Sequence, residues 1–354
     1  MSRTMRNVLI TRFSALGDVA MCVPVVYSVC RSNPGISFFM VTRKVPAQVF
    51  VNAPDNLSVI PVDLGDYKGV GGLWRLHNEL RRKYAIDAFA DLHDVLRSKI
   101  LRVFMRLRGV KVARIHKGRS GKRALTRSSR KVMLPLTSSR ARYREVFWRL
   151  GLSRDDVFRH LFESAEPSPE VYAAATPPKK NGETWIAIAP FAMHPGKIYP
   201  LRLMEQIVAA LASRDGYRLF LFGAGDSECA TIARWCDSYG ENLVNMAELR
   251  LGIPVELALL RHCDLMLSMD SANMHLASLV SLRVVSIWGA THPYCGFMGW
   301  NQRREDTVQL DMVCRPCSVY GNKPCMRGDL HCLNGIPPTL VLGRIDSVLS
   351  ERGR

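Results

Sequence analysis

Residues 7–29, NVLITRFSALGDVAMCVPVVYSV, decide the fold class of the N-terminal half of this chain. Asn7 to Thr11 is mostly apolar and predicts a buried strand. Arg12 to Gly17 predicts a tight loop, and Asp18 to Val29 carries small and apolar residues at helical spacing. A strand, a glycine-containing turn and a helix together predict the first βα unit of a doubly wound parallel sheet.

Asp18 stands at the start of that predicted helix, just beyond the carboxyl end of the strand. Ligands of doubly wound sheets bind at this edge, so Asp18 is a candidate for chemistry. The alternative is that Asp18 only caps the helix and offsets its dipole. The segment alone supports both interpretations equally.

Length and composition predict a two-domain protein. The chain has 354 residues, more than one ordinary domain, and its 47% hydrophobic content is enough for two packed cores. No apolar run approaches the length of a membrane span. The first apolar run is too short for a secretory signal, so the sequence predicts a cytoplasmic protein.

Positive charge is concentrated in one part of the chain. The formal net charge is +18, and residues 97–144 contain many Lys and Arg but no Asp or Glu. Such a surface either faces nucleic acid, anionic lipid or a phosphorylated glycolipid, or is simply solvated. Residues 105–142 contain no aromatic side chain, so the stacking platform of a single-strand binder is missing. The cations predicted to face an acceptor or a membrane are Arg119, Lys122, Arg123 and Arg127.

The alternation of strand and helix patterns divides the chain into two α/β domains. We expect an N-terminal domain at 1–164 and a proline-rich, polar linker at 165–182. The strand–helix rhythm restarts and predicts a second domain at 183–338. A final helix at 339–354 is expected to pack back on the N-terminal domain.

Four predicted strand-to-helix turns of the second half carry polar or glycine residues. Helix N-termini favour anions, so four such turns in succession predict one phosphate-rich ligand that spans them. Taken singly, an exposed lysine, a glycine turn or a lone histidine is more often a surface or structural feature. The candidate ligand-binding residues are Lys197, Gly223, Asp226, Asp270, Ser271, Ala272, His275 and Thr291.

Four motifs, in order, resemble those of the heptosyltransferase family of inverting glycosyltransferases, family nine. They are RFSALGDV at 12–19, GKIYP at 196–200, DSANMHLAS at 270–278 and WGATHP at 288–293. Tyr199 stands where the family usually has tryptophan. The resemblance implies a GT-B architecture, with two Rossmann-like doubly wound domains facing across a cleft. It also implies that the C-terminal half holds the sugar nucleotide and the N-terminal half the acceptor.

The resemblance further implies transfer of a sugar, as a heptose from ADP-heptose, to a lipid A-core or other lipid-linked acceptor in lipopolysaccharide core assembly. The enzyme would then be cytoplasmic and peripheral to the inner membrane, with no nucleic-acid partner expected. The alternative from a different class is a nucleic-acid binding protein that uses the basic stretch 97–144. The polar βα turns and the missing aromatic residues favour the transferase.

The chemistry of inverting transfer assigns roles to these residues. A base must take the acceptor hydroxyl proton, and Asp18 is the candidate. The departing diphosphate needs stabilisation, which Lys197 and the N–H groups near Ser271 can supply. The sequence contains no Asp-x-Asp pair to hold a metal, so we expect metal-independent transfer. Asp270 is expected to orient Lys197 or the backbone, or to bond a sugar hydroxyl.

Two assignments stay open at this point. Either Asp226 or Glu228 could meet the ribose of the donor. In the segment 314–332, the spacing C-x2-C-x7-C-x6-C is compatible with a structural zinc site. The alternative is four reduced cysteines, or a disulfide formed during handling. The cysteines concerned are Cys314, Cys317, Cys325 and Cys332.

Overall fold

A computed structural model describes residues 5–153 and 155–352. Contacts divide the chain into two units. The first comprises Met1–Lys117 and Thr137–Leu161, and the second comprises Gly118–Leu136 and Phe162–Arg354. None of the helices in the described ranges is long and apolar enough to cross a bilayer.

The first part of the chain alternates strands and helices. The strands are β1 (Asn7–Thr11), β2 (Ser37–Arg43), β3 (Leu57–Val62), β4 (Ala88–Asp91) and β5 (Lys111–Arg114). The helices are α1 (Leu16–Ala20), α2 (Val23–Arg31), α3 (Lys44–Ala47), α4 (Gly69–Tyr84), α5 (Leu96–Leu107), α6 (Arg119–Leu125) and α7 (Ser139–Arg149).

The sheet of the first unit is parallel, with strand order β3-β2-β1-β4-β5. β1 lies inside the sheet, and its last four residues are buried. The chain runs outward from β1 to β3 and then returns to place β4 beside β1. This reversal is a topological switch point, and it lies at the carboxyl ends of β1 and β4.

The helix predicted from Asp18 to Val29 is two helices, α1 and α2. Pro24 lies in the first turn of α2 and has no backbone N–H to donate to the preceding turn. The chain therefore breaks at Met21 and Cys22 and restarts. Asp18 lies in the short α1 and keeps its place after the β1 strand.

The second part of the chain repeats the strand–helix alternation. The strands are β6 (Thr184–Ala189), β7 (Tyr217–Leu221), β8 (Leu243–Asn245), β9 (Leu265–Met269), β10 (Val284–Ile287) and β11 (Thr307–Val308). The helices are α8 (Leu201–Ala212), α9 (Asp226–Tyr239), α10 (Met246–Leu249), α11 (Ile253–His262), α12 (Ala272–Leu279), α13 (His331–Asn334) and α14 (Pro338–Arg352). Short 3-10 turns occupy Pro169–Tyr172, Pro195–Lys197, Pro293–Cys295 and Arg304–Asp306.

The sheet of the second unit is also parallel, with strand order β11-β10-β9-β6-β7-β8. Here the order reverses between β6 and β9, so the switch point lies at the carboxyl ends of these two strands. β9 is buried along its whole length. Loops that follow β6 and β9 are therefore brought together.

The C-terminal helix α14 packs on the second unit, against α8, β9 and β10. Its residues Val341, Ile345 and Val348 are fully buried in the core of that unit. This differs from the prediction that the helix returns to the N-terminal domain. The reason is that α14 carries an apolar stripe. This stripe completes the core of the second unit beside β9 and β10.

The predicted linker 165–182 and part of the basic stretch also pack into the second unit. Tyr172 in the linker is fully buried and contacts the rings of Trp185 and His262. Residues 118–136 were expected in the N-terminal domain, and the structure groups them with the second unit. A segment that looks polar and proline-rich thus contributes a buried aromatic residue to the second unit.

Candidate functional site

In the first unit, Asp18 forms an ion pair with Arg12 directly after β1. Arg12 Nη2 lies 2.5 Å from Asp18 Oδ2. The arginine side chain is almost fully buried, whereas about a third of the aspartate side chain (34%) is exposed. The carboxylate is therefore oriented by a fixed cation and stays accessible to solvent.

Arg12 itself is held by the end of the neighbouring strand. Its Nη1 donates to the Leu92 carbonyl oxygen at 2.8 Å, just beyond β4. The guanidinium also lies over the Tyr143 ring, and the Tyr143 hydroxyl donates to the Asp18 carbonyl oxygen at 3.3 Å. The β1 and β4 ends and helix α7 thus fix the position of Asp18.

A cavity of about 400 Å³ opens at the same edge of the first sheet. Its lining includes three cations, Arg43, Lys68 and Arg97, and one carboxylate, Asp63. It also includes Phe13 and Ser14, which belong to the loop between β1 and α1. A net positive lining of this kind suits an anionic ligand.

His93 lies in the wall of this cavity and is kept neutral. The Phe13 N–H donates to His93 Nδ1 at 3.3 Å, so that nitrogen acts as an acceptor. Burial, together with the nearby charge of Arg12, lowers the pKa of His93 to about 3. The histidine therefore adds no charge to the cavity at neutral pH.

In the second unit, Lys197 and Asp270 meet at the switch point between β6 and β9. Lys197 Nζ lies 2.9 Å from Asp270 Oδ2, and both side chains are largely buried. Lys197 ends a short 3-10 turn after β6, and Asp270 follows β9 directly. Orienting Lys197 is one of the three roles predicted for Asp270, and this contact places the two side chains together; the role itself stays a prediction.

The start of helix α12 lies next to Asp270. Ser271 is the N-cap residue, in extended conformation, and its hydroxyl lies 3.2 Å from the Ser268 hydroxyl instead of capping the helix. Ala272 is the first helical residue. His275, one turn further on, is buried. The first N–H groups of α12 are thus left for a ligand or for solvent.

Close backbone packing holds the Lys197 loop in place. Gly196 N–H donates to the Gly321 carbonyl oxygen at 3.1 Å, and Ala290 N–H donates to the Gly196 carbonyl oxygen at 2.8 Å. A Cβ added at Gly196 would lie 2.7 Å from the Gly321 carbonyl oxygen. Thr291 follows this contact, and its hydroxyl is buried without a hydrogen-bond partner among the described residues.

The segment GAGDSE at 223–228, which follows β7 and begins α9, gives its two acids different contacts. Glu228 Oε2 accepts a hydrogen bond from the Ala224 N–H at 2.7 Å and so closes the turn beside Gly223. The Asp226 side chain is almost fully exposed, with Arg250 3.4 Å away. Glu228 thus has a structural contact, whereas the contact of Asp226 with Arg250 is an exposed ion pair.

The cysteine-rich tail is tied to the loop after β10. Cys317 N–H donates to the Ala290 carbonyl oxygen, and the buried Arg315 donates to the carbonyl oxygens of Trp288 and Thr291. Within residues 5–153 and 155–352, no group of three or more His, Cys, Asp or Glu side chains is arranged to hold a metal ion. The ligand set predicted from Cys314, Cys317, Cys325 and Cys332 is therefore not assembled in this structure.

Part of the basic stretch contacts the tail region of the second unit. Lys122 donates to the Tyr320 hydroxyl at 3.2 Å and lies over the Phe297 and Tyr320 rings. Lys131 donates to the Cys314 and Pro316 carbonyl oxygens. Of the predicted acceptor- or membrane-facing cations, Arg119, Arg123 and Arg127 are exposed, whereas Lys122 is half-buried in these contacts.

Sequence reasoning missed three residues that organise these sites: Arg12, Tyr143 and Arg315. Arg12 stands in the quoted opening stretch, directly after a predicted strand, and that position could have identified it. Arg315 lies between Cys314 and Cys317, and the cysteine spacing was interpreted without it. Tyr143 is 125 residues from Asp18 in sequence, and no local pattern connects them.

A sequence model of glycosyltransferase family 9 (heptosyltransferase) matches residues 73–324, more than half of the chain. Lipopolysaccharide heptosyltransferase 1 of Pseudomonas aeruginosa is 24% identical over 335 residues, which covers 88% of this chain and 86% of that protein. Lipooligosaccharide heptosyltransferase 2 of Campylobacter jejuni is 25% identical over 139 residues, 38% of this chain. The chain spans 42% of the length of that relative.

Solved structures of the same family share the fold. A glycosyltransferase family 9 protein from Veillonella parvula superimposes with a TM-score of 0.75 at 16% identity, with 99% of each chain covered. An E. coli heptosyltransferase solved with ADP gives a TM-score of 0.64 at 17% identity, covering 97% of this chain and 99% of that one. These matches confirm the predicted family and the predicted pair of doubly wound domains of the GT-B class. They give no support to the nucleic-acid alternative.

Proposed function

The chain belongs to glycosyltransferase family 9, the heptosyltransferases, and from this premise we propose that it transfers a heptose from a nucleotide-diphosphate donor to a lipopolysaccharide core acceptor. The observation that carries the proposal is the pair of sites at the two switch points. One presents a carboxylate fixed by an arginine, and the other presents a buried lysine beside a helix N-terminus.

In the proposed reaction, Asp18 accepts the proton of the acceptor hydroxyl as that oxygen attacks the anomeric carbon of the donor. The bond between this carbon and the diphosphate oxygen breaks, and the sugar is transferred with inversion. Arg12 keeps the Asp18 carboxylate oriented for this step. The exposed part of the Asp18 side chain is the part available to a hydroxyl.

The second unit is proposed to bind the donor. Lys197 offsets the charge of the departing diphosphate, and Asp270 holds the lysine in position. The first N–H groups of α12, at Ser271 and Ala272, add dipoles that favour an anion. The other proposed donor-binding residues are Gly223, Asp226, His275 and Thr291.

The donor is proposed to be ADP-heptose, because a relative with the same fold was solved with ADP. Transfer is proposed to need no divalent metal, because the sequence has no Asp-x-Asp pair and Lys197 supplies a cation at the site. A structural zinc on the tail cysteines is not part of this proposal.

The first unit is proposed to bind the acceptor. Its cavity is lined by Arg43, Lys68 and Arg97, and it opens at the strand edge that carries Asp18. An acceptor with phosphate or carboxylate groups would form ion pairs with these cations. Because that acceptor is lipid-linked, we further propose that the protein works in the cytoplasm, peripheral to the inner membrane.

Titration calorimetry with ADP-heptose and a panel of other sugar nucleotides tests this proposal. We expect heat of binding from ADP-heptose, and transfer to a heptose-free lipopolysaccharide acceptor that persists after exhaustive chelation. Transfer that stops on chelation and returns only with magnesium or manganese would disprove the metal-independent mechanism. Binding of another sugar nucleotide in preference to ADP-heptose would reject the donor.

A further inference from the structure

Helix α5 of the first unit carries apolar side chains on two faces. Its inner face packs into the core through Leu101 and Met105, which are fully buried. Its outer face exposes Leu96 (74%), Val103 (52%) and Leu107 (76%). A surface helix ordinarily places polar residues on its outer face, so this second apolar stripe needs an explanation.

The three exposed residues lie on one line along the helix. Spacings of seven and eleven residues from Leu96 place Val103 and Leu107 on the same face. The stripe is about 16 Å long, from the rise of 1.5 Å per residue. Half-buried Ile100 and Phe104 lie along its inner edge and pack against the core.

The neighbouring helix α4 widens this surface. Val70 is 60% exposed, and the exposed Trp74 stands one turn further along α4. The Trp74 ring contacts the Phe104 ring edge-on, with centroids 5.0 Å apart, and so joins α4 to α5. We call Val70, Trp74, Leu96, Val103 and Leu107 the apolar face.

Cations border the apolar face. Lys99 and Arg106 are exposed and lie on one flank of the α5 stripe. Arg97 lies on the other flank, and Arg108 lies over the Trp74 ring. Helix α5 contains no acidic residue. Exposed apolar side chains flanked by the cations of α5 match an anionic lipid surface, where the apolar groups enter and the cations meet head groups.

We infer that the apolar face docks on an anionic membrane and that α5 lies in the plane of its surface. The inference deepens the proposed function and rests on it for the lipid-linked acceptor. A second copy of the chain is a poorer occupant, because two faces with cationic rims would repel each other.

The apolar face begins at the rim of the cationic cavity. Lys68 precedes α4 and lines the cavity, and Val70 follows two residues later on the apolar face. Val95 and Arg97 line the cavity on either side of Leu96. Docking would thus bring the cavity entrance to the lipid surface, where a lipid-linked acceptor can enter without leaving the bilayer.

The test uses the full-length protein and vesicles that contain no acceptor. Vesicles of equal parts phosphatidylcholine and phosphatidylglycerol are compared with phosphatidylcholine alone in a sedimentation assay. We expect binding to the anionic vesicles. The triple variant Leu96→Ser, Val103→Ser, Leu107→Ser should weaken this binding about tenfold or more, because three apolar groups no longer enter the bilayer.

A matched control replaces three exposed apolar residues of other elements: Val157→Ser, Val171→Ser, Leu340→Ser. It should bind vesicles within about twofold of the wild type, because the face is intact. The charge variant Lys99→Glu, Arg106→Glu should lose binding at low salt, which tests the cationic rim separately. A third variant, Arg119→Glu, Arg123→Glu, Arg127→Glu, tests the cations predicted earlier, and we expect a smaller loss from it.

Undiminished vesicle binding by both the triple and the charge variants would overturn the inference. So would a wild-type dimer that the triple variant converts to monomer in sedimentation velocity while vesicle binding stays the same. The triple variant should also lower transfer to vesicle-embedded acceptor relative to transfer to a water-soluble acceptor. If no transfer occurs at all but the vesicle pattern holds, the proposed function fails and the docking face stands.

Discussion

Asp18 illustrates how one residue can have both a structural and a catalytic interpretation. It lies in the first turns after β1, as a cap would, yet its carboxylate contacts Arg12 and remains partly exposed. A residue that only offset the helix dipole would not need a buried arginine anchored to the next strand. The ion pair and the exposed part of the carboxylate are compatible with the catalytic interpretation, which stays a prediction.

We predict that Asp18→Asn lowers the transfer rate by roughly 10² to 10⁴, because an amide keeps the shape but cannot accept the hydroxyl proton. Donor binding, measured by calorimetry, should change little. Asp55→Asn, at an exposed position of the same unit, is the control and should keep full activity. Near-wild-type turnover in Asp18→Asn would refute the assignment.

Variants of the Lys197–Asp270 pair can distinguish a donor-binding role of Lys197 from a purely structural role. Lys197→Met leaves the buried Asp270 without its cation, so the free energy of unfolding should fall by about 3 kcal/mol. The double variant Lys197→Met, Asp270→Asn removes both charges and should recover most of that loss. Donor affinity should stay low in both variants, because the cation for the diphosphate is gone.

Urea unfolding and calorimetry of the two variants and Asp270→Asn complete this cycle. If the double variant regained donor affinity together with stability, Lys197 would act only through folding. We expect the double variant to regain unfolding free energy but not donor affinity.

At the scale of elements, the strand–helix alternation predicted from the sequence is present in both parts of the chain. β1 was predicted residue for residue, because its apolar and β-branched content agrees with burial in a parallel sheet. The break between α1 and α2 was missed, since apolar spacing hid the effect of Pro24. Helix α7 was also missed, because its arginines obscured the few buried positions such as Tyr143 and Phe147.

The parts of the candidate site that lie within one segment of the sequence were predictable. The contacts between distant segments were not. The turns that hold Asp18, Lys197 and Asp270 follow strands, and strand ends can be found from sequence. The contact between Lys197 and Asp270 requires β6 and β9 to be neighbours, which only the strand order establishes. Tertiary packing likewise decides where α14 and residues 118–136 belong.

Helix α14 gives a prediction at this scale. Ile345 is fully buried in the core of the second unit, so Ile345→Ala should lower the free energy of unfolding by about 2–5 kcal/mol. Ser350→Ala, on an exposed part of the same helix, should be neutral or slightly stabilising. Urea unfolding measures both. An Ile345→Ala protein as stable as the wild type would show that α14 does not dock on this core.

At the scale of the whole molecule, the basic stretch is divided between the two units. Its middle part, 118–136, belongs to the second unit, whereas 97–117 and 137–144 belong to the first. A net charge of +18 at neutral pH disfavours the folded state through self-repulsion, and protonation at lower pH adds to it. Anionic partners are therefore expected to stabilise the protein, and acid to destabilise it.

Three histidines that the fold keeps neutral contribute to this loss of stability in acid. His77 is fully buried between the Trp74 and Phe104 rings, and neither ring nitrogen has a hydrogen-bond partner among the described residues. Burial, helped by nearby arginines, lowers the pKa of His77 to about 4. Burial likewise lowers the pKa of His93 to about 3 and that of His292 to about 4.

In the unfolded chain these histidines have pKa values near 6.5. The unfolded chain therefore binds more protons than the folded protein between about pH 4 and 6.5. Stability should therefore fall as the pH drops through this window, by up to about 1.4 kcal/mol per pH unit for each such histidine. His77→Phe keeps an aromatic ring in the stack and removes one titrating group, so its unfolding free energy should fall less steeply with acid. Urea unfolding at several pH values compares it with His116→Gln, whose side chain is exposed in the folded protein. A His77→Phe profile parallel to that of the wild type would show that this histidine is not held neutral by the fold.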